Sequence, residues 1–195
     1  GDVYKRQVIL VAEREYATNE TLPKFALEHL GKEYKVTILH CDEEGQGTRD
    51  DIPGTAHALK DADVLLVSVR RRALQAKDFK AVEEHIKAGK PIVGIRTANH
   101  AFSLRGTEPP EGHLVWEGFD AEVWGGSYTG HHGAGKSVTI KKLADHPILE
   151  GVDVDRFDGT GSLYIVNPIA DSTHAILTGT IDAQPTEPIA WTNKT

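Results

Sequence analysis

Two adjacent histidines on a glycine-rich stretch, Gly130-His131-His132-Gly133-Ala134-Gly135-Lys136-Ser137, are the first residues whose types and spacing point to chemistry. Neutral imidazole is a metal ligand and a general acid or base near neutral pH. On an extended backbone neighbouring side chains point to opposite faces, which would turn one histidine toward a crevice; on an irregular glycine loop both could turn there. The spacing matches no strong zinc signature such as H-E-x-x-H. Acid–base catalysis by His131 or His132 is therefore one use of the pair, and a zinc-like divalent metal held by the two is another. The same eight residues satisfy the phosphate-loop pattern G-x-x-x-x-G-K-[ST] letter for letter. That pattern has mechanical force only between a buried strand and a helix. Here Val138-Thr139-Ile140 alternates like a strand and His146-Pro147 ends any helix early, so nucleotide binding through Gly130–Ser137 ranks last.

A second group of polar residues acquires meaning from the elements that carry it. Val8 to Ala12 is a continuous apolar run of strand length, as in a strand covered on both faces. A helix follows, with Thr18 or Asn19 as its cap, Pro23 in its first turn, Gly31 at its end and Leu22, Phe25, Ala26, His29 and Leu30 as its buried stripe. Lys35–His40 is the second strand, Ala56–Ala62 a short helix and Asp63–Val69 the third strand. A helix over Gln75–Ala88, with Phe79, Val82 and Ile86 inward, leads to the fourth strand at Pro91–Ile95. A short helix around His100–Leu104 comes next. Strand and helix alternating at this spacing predict an α/β fold with a doubly wound, mostly parallel sheet. Past Glu108, glycine and proline become frequent and apolar runs short, which reads as further strands and excursions of the same domain.

Ligands of open parallel sheets bind beyond the carboxyl ends of the strands. Those ends carry Glu13, Glu15 and Tyr16, then His40 to Asp42, then Arg70, Arg71 and Arg72, then Arg96, Thr97 and His100. Arginine there suits carboxylates or oxygen-rich ligands through forked hydrogen bonds, although Arg70 or Arg96 can equally neutralise Glu13. Gly94 to Phe102 runs from strand straight into helix and has the shape of a nucleophile elbow. An amidotransferase needs cysteine at that point; Arg96 or Thr97 stands there instead. The single cysteine, Cys41, lies at another strand's end and cannot substitute. Thiol-dependent amidotransfer is excluded on that ground. Thr97 reads as a helix cap before it reads as a nucleophile.

The 195 residues suffice for one sizeable core. A net charge of −7 argues against a nucleic-acid surface, and no apolar run reaches the length of a spanning helix. One cysteine permits neither an internal disulfide nor a thiolate cluster. Both ends have an artificial look. Residues 1–7 translate like a sequencing-library adapter, and Pro188–Asn193 breaks off inside a strand. The expectation is thus a leader at 1–7 and a single domain at 8–195, truncated at its end, in a bacterial protein whose compartment, cytoplasmic or exported, the lost start no longer records.

Several segments resemble ThuA-like (trehalose-utilisation) proteins, in order along the chain: Val8–Pro23 (VILVAEREYATNETLP), Val69–Leu74, Gly94–Phe102 (GIRTANHAF), Gly125–Gly133 (GGSYTGHHG), Asp145–Val152 (DHPILEGV), Gly161–Tyr164 and Pro188–Asn193. The subgroup most similar is one common in planctomycete-type genomes. The resemblance implies a flavodoxin-like, class I glutamine amidotransferase-like sheet and a role in catabolism of disaccharides or their 3-keto derivatives. A histidine often follows the Gly-Ile of the elbow in that family; Arg96 replaces it here. On this reading Glu13, His131 and His132 are the acid–base candidates. Glu15, Tyr16, Arg70, Arg71, Arg96, Thr97, His100 and Tyr128 are the substrate contacts, and the partner is a small sugar or keto-sugar, with homo-oligomerisation compatible. The competing reading is a non-catalytic sugar-binding module in which Trp116, Trp124 or Tyr128 stacks on sugar rings.

Overall fold

The computed structural model describes residues 4–41 and 51–195, which divide into two compact units, Gly1–Phe119 and Asp120–Thr195. Residues 1–3 of the expected leader and Asp42 among the expected site residues lie outside the described residues.

Unit 1 is built on four parallel strands, β1 (Lys5–Ala12), β2 (Tyr34–His40), β3 (Val64–Val69) and β5 (Ile92–Gly94), in the order β2-β1-β3-β5. β1 begins at Lys5 rather than Val8: Lys5, Arg6 and Gln7 pair in register with β2, Gln7 also with β3, and the Arg6 amide donates to Asp63 Oδ2 at 2.7 Å. Val8 to Ala12 are all buried, as a strand with layers on both faces requires. Ile9 and Val11 meet Leu22, Ala26 and Leu66 on one face, under α1 (Thr18–Phe25) and the π turn Ala26–Leu30 that continues it. By strand alternation Val8 and Leu10 face the other side, where α2 (Thr55–Leu59) packs between β1 and α3 (Ala76–Lys87). A two-residue ribbon, β4 (Leu74–Gln75) with β6 (His113–Leu114), closes the unit.

Five details of the helices differ from the sequence expectation. Neither Thr18 nor Asn19 caps α1; Ala17 precedes it with φ 52° and contributes no side-chain cap. Pro23 is the sixth residue of α1, beyond the first turn. Phe25 and His29 are exposed and stack on each other at 5.2 Å, so the buried stripe narrows to Leu22, Ala26 and the partly buried Leu30. In α3 the buried face holds Asp78, Val82 and His85; Asp78 Oδ1 accepts the Ala56 amide at 2.7 Å and so caps α2. The helix foreseen at His100–Leu104 is a 3-10 turn over Arg96–His100.

Unit 2 abandons the parallel plan. β12 (Glu187–Asn193), β11 (Thr173–Thr180), β8 (Val138–Lys142) and β9 (Asp158–Gly159) form an antiparallel sheet in that order. β7 (Gly130–His132) and β10 (Leu163–Ile165) form an antiparallel ribbon. Val138, Leu163 and Ile181, with Ile189, make its core. Among the described residues no helix is long and apolar enough to cross a membrane.

Candidate functional site

Glu13 is the first residue past β1, and its carboxylate is 2% exposed. Oε2 accepts the amides of Glu15 at 2.7 Å and Tyr16 at 2.9 Å; Oε1 accepts the Thr18 amide at 2.9 Å and the Thr18 hydroxyl. Thr18 Oγ1 continues to Ser68 Oγ, 2.8 Å away at the end of β3. Burial is the largest single influence on the Glu13 carboxyl and pushes its pKa up. The four donors, from Thr18 side chain and backbone, Tyr16 and Glu15, together outweigh burial and hold it below the ordinary value of 4.5. This carboxylate supplies the cap that α1 lacks from its own first residue. With its oxygens committed to four donors, it is poorly placed to accept a substrate proton, and the geometry gives it a loop-holding role in place of the catalytic one expected.

The arginines lie on the neighbouring strand ends. Arg70 Nη2 meets Glu15 Oε1 at 3.1 Å, an exposed pair of at most about 1 kcal/mol. The amides of Arg71 and Arg72 donate to the carbonyls of His100 (3.2 Å) and Ala101 (2.7 Å), which fastens the segment after β3 to the turn after β5. Arg72, 8% exposed, directs Nε to the Ala12 carbonyl at 3.4 Å and Nη2 to Cys41 Sγ at 3.7 Å. Arg96 occupies the elbow with φ 40°, a left-handed conformation that few side-chain-bearing residues adopt. Its guanidinium donates to the Tyr16 hydroxyl at 2.9 Å, with Cζ 4.3 Å from that ring's centroid. The elbow geometry is thus present, and it displays a guanidinium where an amidotransferase would display a thiol.

Behind Arg96, Thr97 is 1% exposed and its hydroxyl has no hydrogen-bond partner among the described residues, so the capping role expected of it is not realised. Thr97→Val, which keeps the shape and removes the buried hydroxyl, should raise stability to urea by about 1 kcal/mol, because an unsatisfied polar group is relieved; a capping threonine would instead lose stability on that change. His100 is 7% exposed and its pKa is pushed down to about 3, by burial first and then by Arg71, Arg70 and Arg105. It is a neutral imidazole at physiological pH.

In unit 2 the ribbon settles the two histidines by strand alternation. His131 stands opposite Tyr164 and His132 opposite the buried Leu163. His131 is exposed; its Nδ1 lies 3.0 Å from the Tyr128 hydroxyl, and the two rings run near-parallel at 6.5 Å. Tyr128 in turn meets Tyr164 edge-on at 4.6 Å. Since His131 and His132 point to opposite faces, β7 does not offer them to one ion. Among the described residues no three His, Cys, Asp or Glu side chains converge as a metal site. The phosphate-loop reading fails: the motif's first three residues are strand β7, strand β8 and no helix follows it, and the amides of Gly135 and Lys136 are taken by the carbonyls of Gly161 (2.8 Å) and Gly133 (3.1 Å).

The parallel sheet therefore gathers Glu13, Glu15, Tyr16, Arg70, Arg71, Arg96, Thr97 and His100 at one end of unit 1, while Tyr128, His131 and His132 belong to the ribbon of unit 2. Trp116 packs with Phe79 and Phe119, and the Trp124 carbonyl receives the Trp191 indole N–H at 2.7 Å; both tryptophans are half-buried. Sequence reasoning passed over Ser68, Tyr164, Glu117 and Glu187. Glu187 is buried, and its Oε2 accepts the amides of Val166 (3.1 Å) and Asn167 (3.0 Å), a unit 2 counterpart of Glu13. Glu117 accepts the Ser103 hydroxyl and the Leu104 amide (3.0 Å). Nothing local marks Glu117 and Glu187, since their donors, the Ser103 hydroxyl and the amides of Leu104, Val166 and Asn167, are brought from distant segments. Tyr164 lies on a strand of three residues, too short for its alternation to be read.

No family model matches the chain, and no curated protein matches it either. Among solved structures, the crystal structure of a protein from Bacteroides uniformis ATCC 8492 described as ThuA-like is similar over 97% of this chain and 77% of its own, with a TM-score of 0.67 and 16% sequence identity. What the two share is the fold: a mixed α/β chain whose parallel sheet has flavodoxin-like order.

Proposed function

We propose that this chain is a ThuA-like protein of carbohydrate catabolism that acts on a disaccharide or 3-keto-sugar by acid–base chemistry, and not by glutamine amidotransfer. The observation that carries the chemistry is the exposed His131 ring with its Nδ1 3.0 Å from the Tyr128 hydroxyl. The segments that resemble ThuA-like proteins support the substrate class, and Arg96 at the elbow, where an amidotransferase carries cysteine, argues against the amidotransferase alternative.

A keto-sugar is acidic at the carbon beside its carbonyl. His131 with its Nδ1 hydrogen on the tyrosine oxygen has an unprotonated Nε2 that accepts that proton. The electron pair left on carbon moves to the carbonyl oxygen, and the Tyr128 O–H is the hydroxyl on hand to hydrogen-bond the resulting enolate. Return of the proton to a different atom completes an isomerisation; departure of a substituent from the adjacent carbon completes an elimination. Tyr164 supports the Tyr128 ring from its edge. Glu13 is left out of these steps, for the reason given above.

The expected result is uptake of solvent deuterium beside the carbonyl of 3-keto-trehalose or 3-keto-sucrose, followed by NMR in D2O. His131→Ala should slow it by about 10²–10⁴-fold, and Tyr128→Phe by less. Absence of exchange and of product with any such sugar would sink the enzymatic reading. The edge-on Tyr128–Tyr164 pair favours the second reading, a sugar-binding module. In that case calorimetry would show sugar affinity lost in Tyr128→Ala and Tyr164→Ala, with no turnover by the parent chain.

A further inference from the structure

We propose that the carboxyl-end surface of unit 1 is an oxyanion-recognition site, in which Arg71, Arg96 and Arg105, with Arg70 beside them, take a ligand bearing a phosphate or carboxylate group. This does not rest on the sugar chemistry assigned to unit 2.

Backbone conformation is the first support. Among the described residues five non-glycine residues hold positive φ, and three of them are arginines of this region: Arg71 at 49°, Arg96 at 40° and Arg105 at 56°. A side chain with a Cβ is disfavoured there, and strain of this kind persists where the surrounding structure imposes it, typically at ligand clamps. Nothing in a flavodoxin-like sheet requires arginine at those turns; a glycine would adopt the same φ without strain. The residue type is explained if the guanidinium itself is what the turn presents.

Placement is the second. The Arg71 and Arg72 amides bind the carbonyls of His100 and Ala101, so the segment after β3 is fastened to the turn that starts at Arg96, whose own guanidinium lies against Tyr16. Arg105 lies a few residues farther along the same chain and, like Arg96, is exposed. The density of positive charge there is high enough that Arg71, Arg70 and Arg105 all act on the buried His100 ring. The region also holds carboxylates: Glu15 pairs with Arg70 at 3.1 Å, the Arg71 charge acts on Glu117, and Glu13 is taken by Thr18 and the loop amides, so a ligand oxyanion would compete with Glu15 and Glu117 for these guanidinium groups. Guanidinium forks match phosphate and carboxylate oxygens, which a neutral sugar hydroxyl matches less well.

The test is calorimetric titration of the chain at low salt with sodium phosphate, glucose 6-phosphate and glucuronate, with glucose as the neutral control. At least one oxyanion is expected to bind about tenfold or more tightly than glucose and to weaken as salt is added. The phosphate and glucuronate arms then tell which oxyanion the site prefers. In Arg71→Gly/Arg105→Gly the guanidinium groups go while the left-handed strain is relieved, so the melting temperature should hold or rise as anion affinity falls about tenfold or more. Arg105→Glu, at an exposed position, gives the same loss without touching the core. Oxyanions that bind no better than glucose, or arginine variants that keep full anion affinity, overturn the proposal. Deuterium exchange into keto-sugars without oxyanion binding would remove this site and leave the function proposed above standing; oxyanion binding without exchange would do the reverse.

Discussion

Glu13→Ala should destabilise unit 1 by about 3–5 kcal/mol, the largest single-residue effect expected outside its hydrophobic core. The estimate follows from what would be stranded. The amides of Glu15, Tyr16 and Thr18 and the Thr18 hydroxyl all donate to this one carboxylate, and the residue is 2% exposed. Each buried donor left unsatisfied costs about 1–3 kcal/mol, partly recovered where water enters the cavity. Glu13→Gln should cost less, about 2 kcal/mol, because the amide keeps one acceptor and sets an NH2 against the remaining donors. Urea unfolding followed by circular dichroism decides the matter. A midpoint unchanged in Glu13→Ala would mean that the carboxylate is not what holds the loop.

The same carboxylate leaves a mark in the pH dependence of stability. Its folded pKa is lowered, so its contribution is complete above 4.5 and is lost as pH falls below 4.5 through the folded value. His100 works in a different window. Its folded pKa of about 3 lies below the ordinary 6.5, so the unfolded chain binds the extra proton and stability falls as pH drops from 6.5 toward 3. Glu13→Gln should therefore keep the loss between pH 6.5 and 4.5 and flatten the further loss below 4.5. An unaltered acid limb would assign that limb to other carboxylates.

Gly125→Ala should cost unit 2 about 2–4 kcal/mol and slow any reaction that depends on His131. Gly125 has φ +73°, and an added Cβ would stand 2.5 Å from Thr173 Cγ2 and 3.1 Å from Asn193 Cγ. Neither neighbour can withdraw easily. Thr173 is held by its hydroxyl on the Ala170 carbonyl (2.6 Å), and Asn193 lies between the Val123 carbonyl (3.0 Å) and Ser172 Oγ (2.8 Å). Positive φ accounts for about 1 kcal/mol of the cost and overpacking for about 1–3. Gly135→Ala is the matched control, because Gly135 also has positive φ, at +77°, but nothing lies within 4 Å of its added Cβ. Thermal melting of the two variants separates strain from collision, and equal losses would show that collision contributes nothing. Gly125 leads directly into the turn that carries Tyr128, so displacement there should also disturb the Tyr128–His131 contact.

The parallel sheet of unit 1 was legible because its information is local and repeated. Val8–Ala12 is apolar without interruption and Val64–Val69 is broken only by Ser68, as strands covered on both faces should be, and helix-length polar stretches separate them. Knowing that ligands gather at the carboxyl ends was enough to list Glu13, Arg70, Arg71, Arg96 and His100 as neighbours. In unit 2 only parts of β8 and β12 were legible, as the alternation of Val138–Ile140 and the strand-like Pro188–Asn193; the pairing was not. β9 of the sheet and β7 and β10 of the ribbon have only two or three residues each, too few for a period of two to be read. Such pairing is fixed by partners far away in sequence, as with Leu177 opposite Lys142 and Ala190.

Roles within the site divide in the same way. The sequence by itself determined the residue types at the strand ends and the absence of a cysteine from the elbow; that His131 and His132 stand on a strand and so part to opposite faces came from the ribbon. Only the tertiary structure decided that Glu13 is a buried acceptor rather than an exposed base, that Thr97 caps nothing, and that His131 rather than His132 meets Tyr128. The reason is that a side chain's type and its place along a strand are properties of the chain. Whether a carboxylate is charged, sheltered or available depends on how the folded backbone turns donors toward it, as the loop into α1 turns the amides of Glu15, Tyr16 and Thr18 onto Glu13.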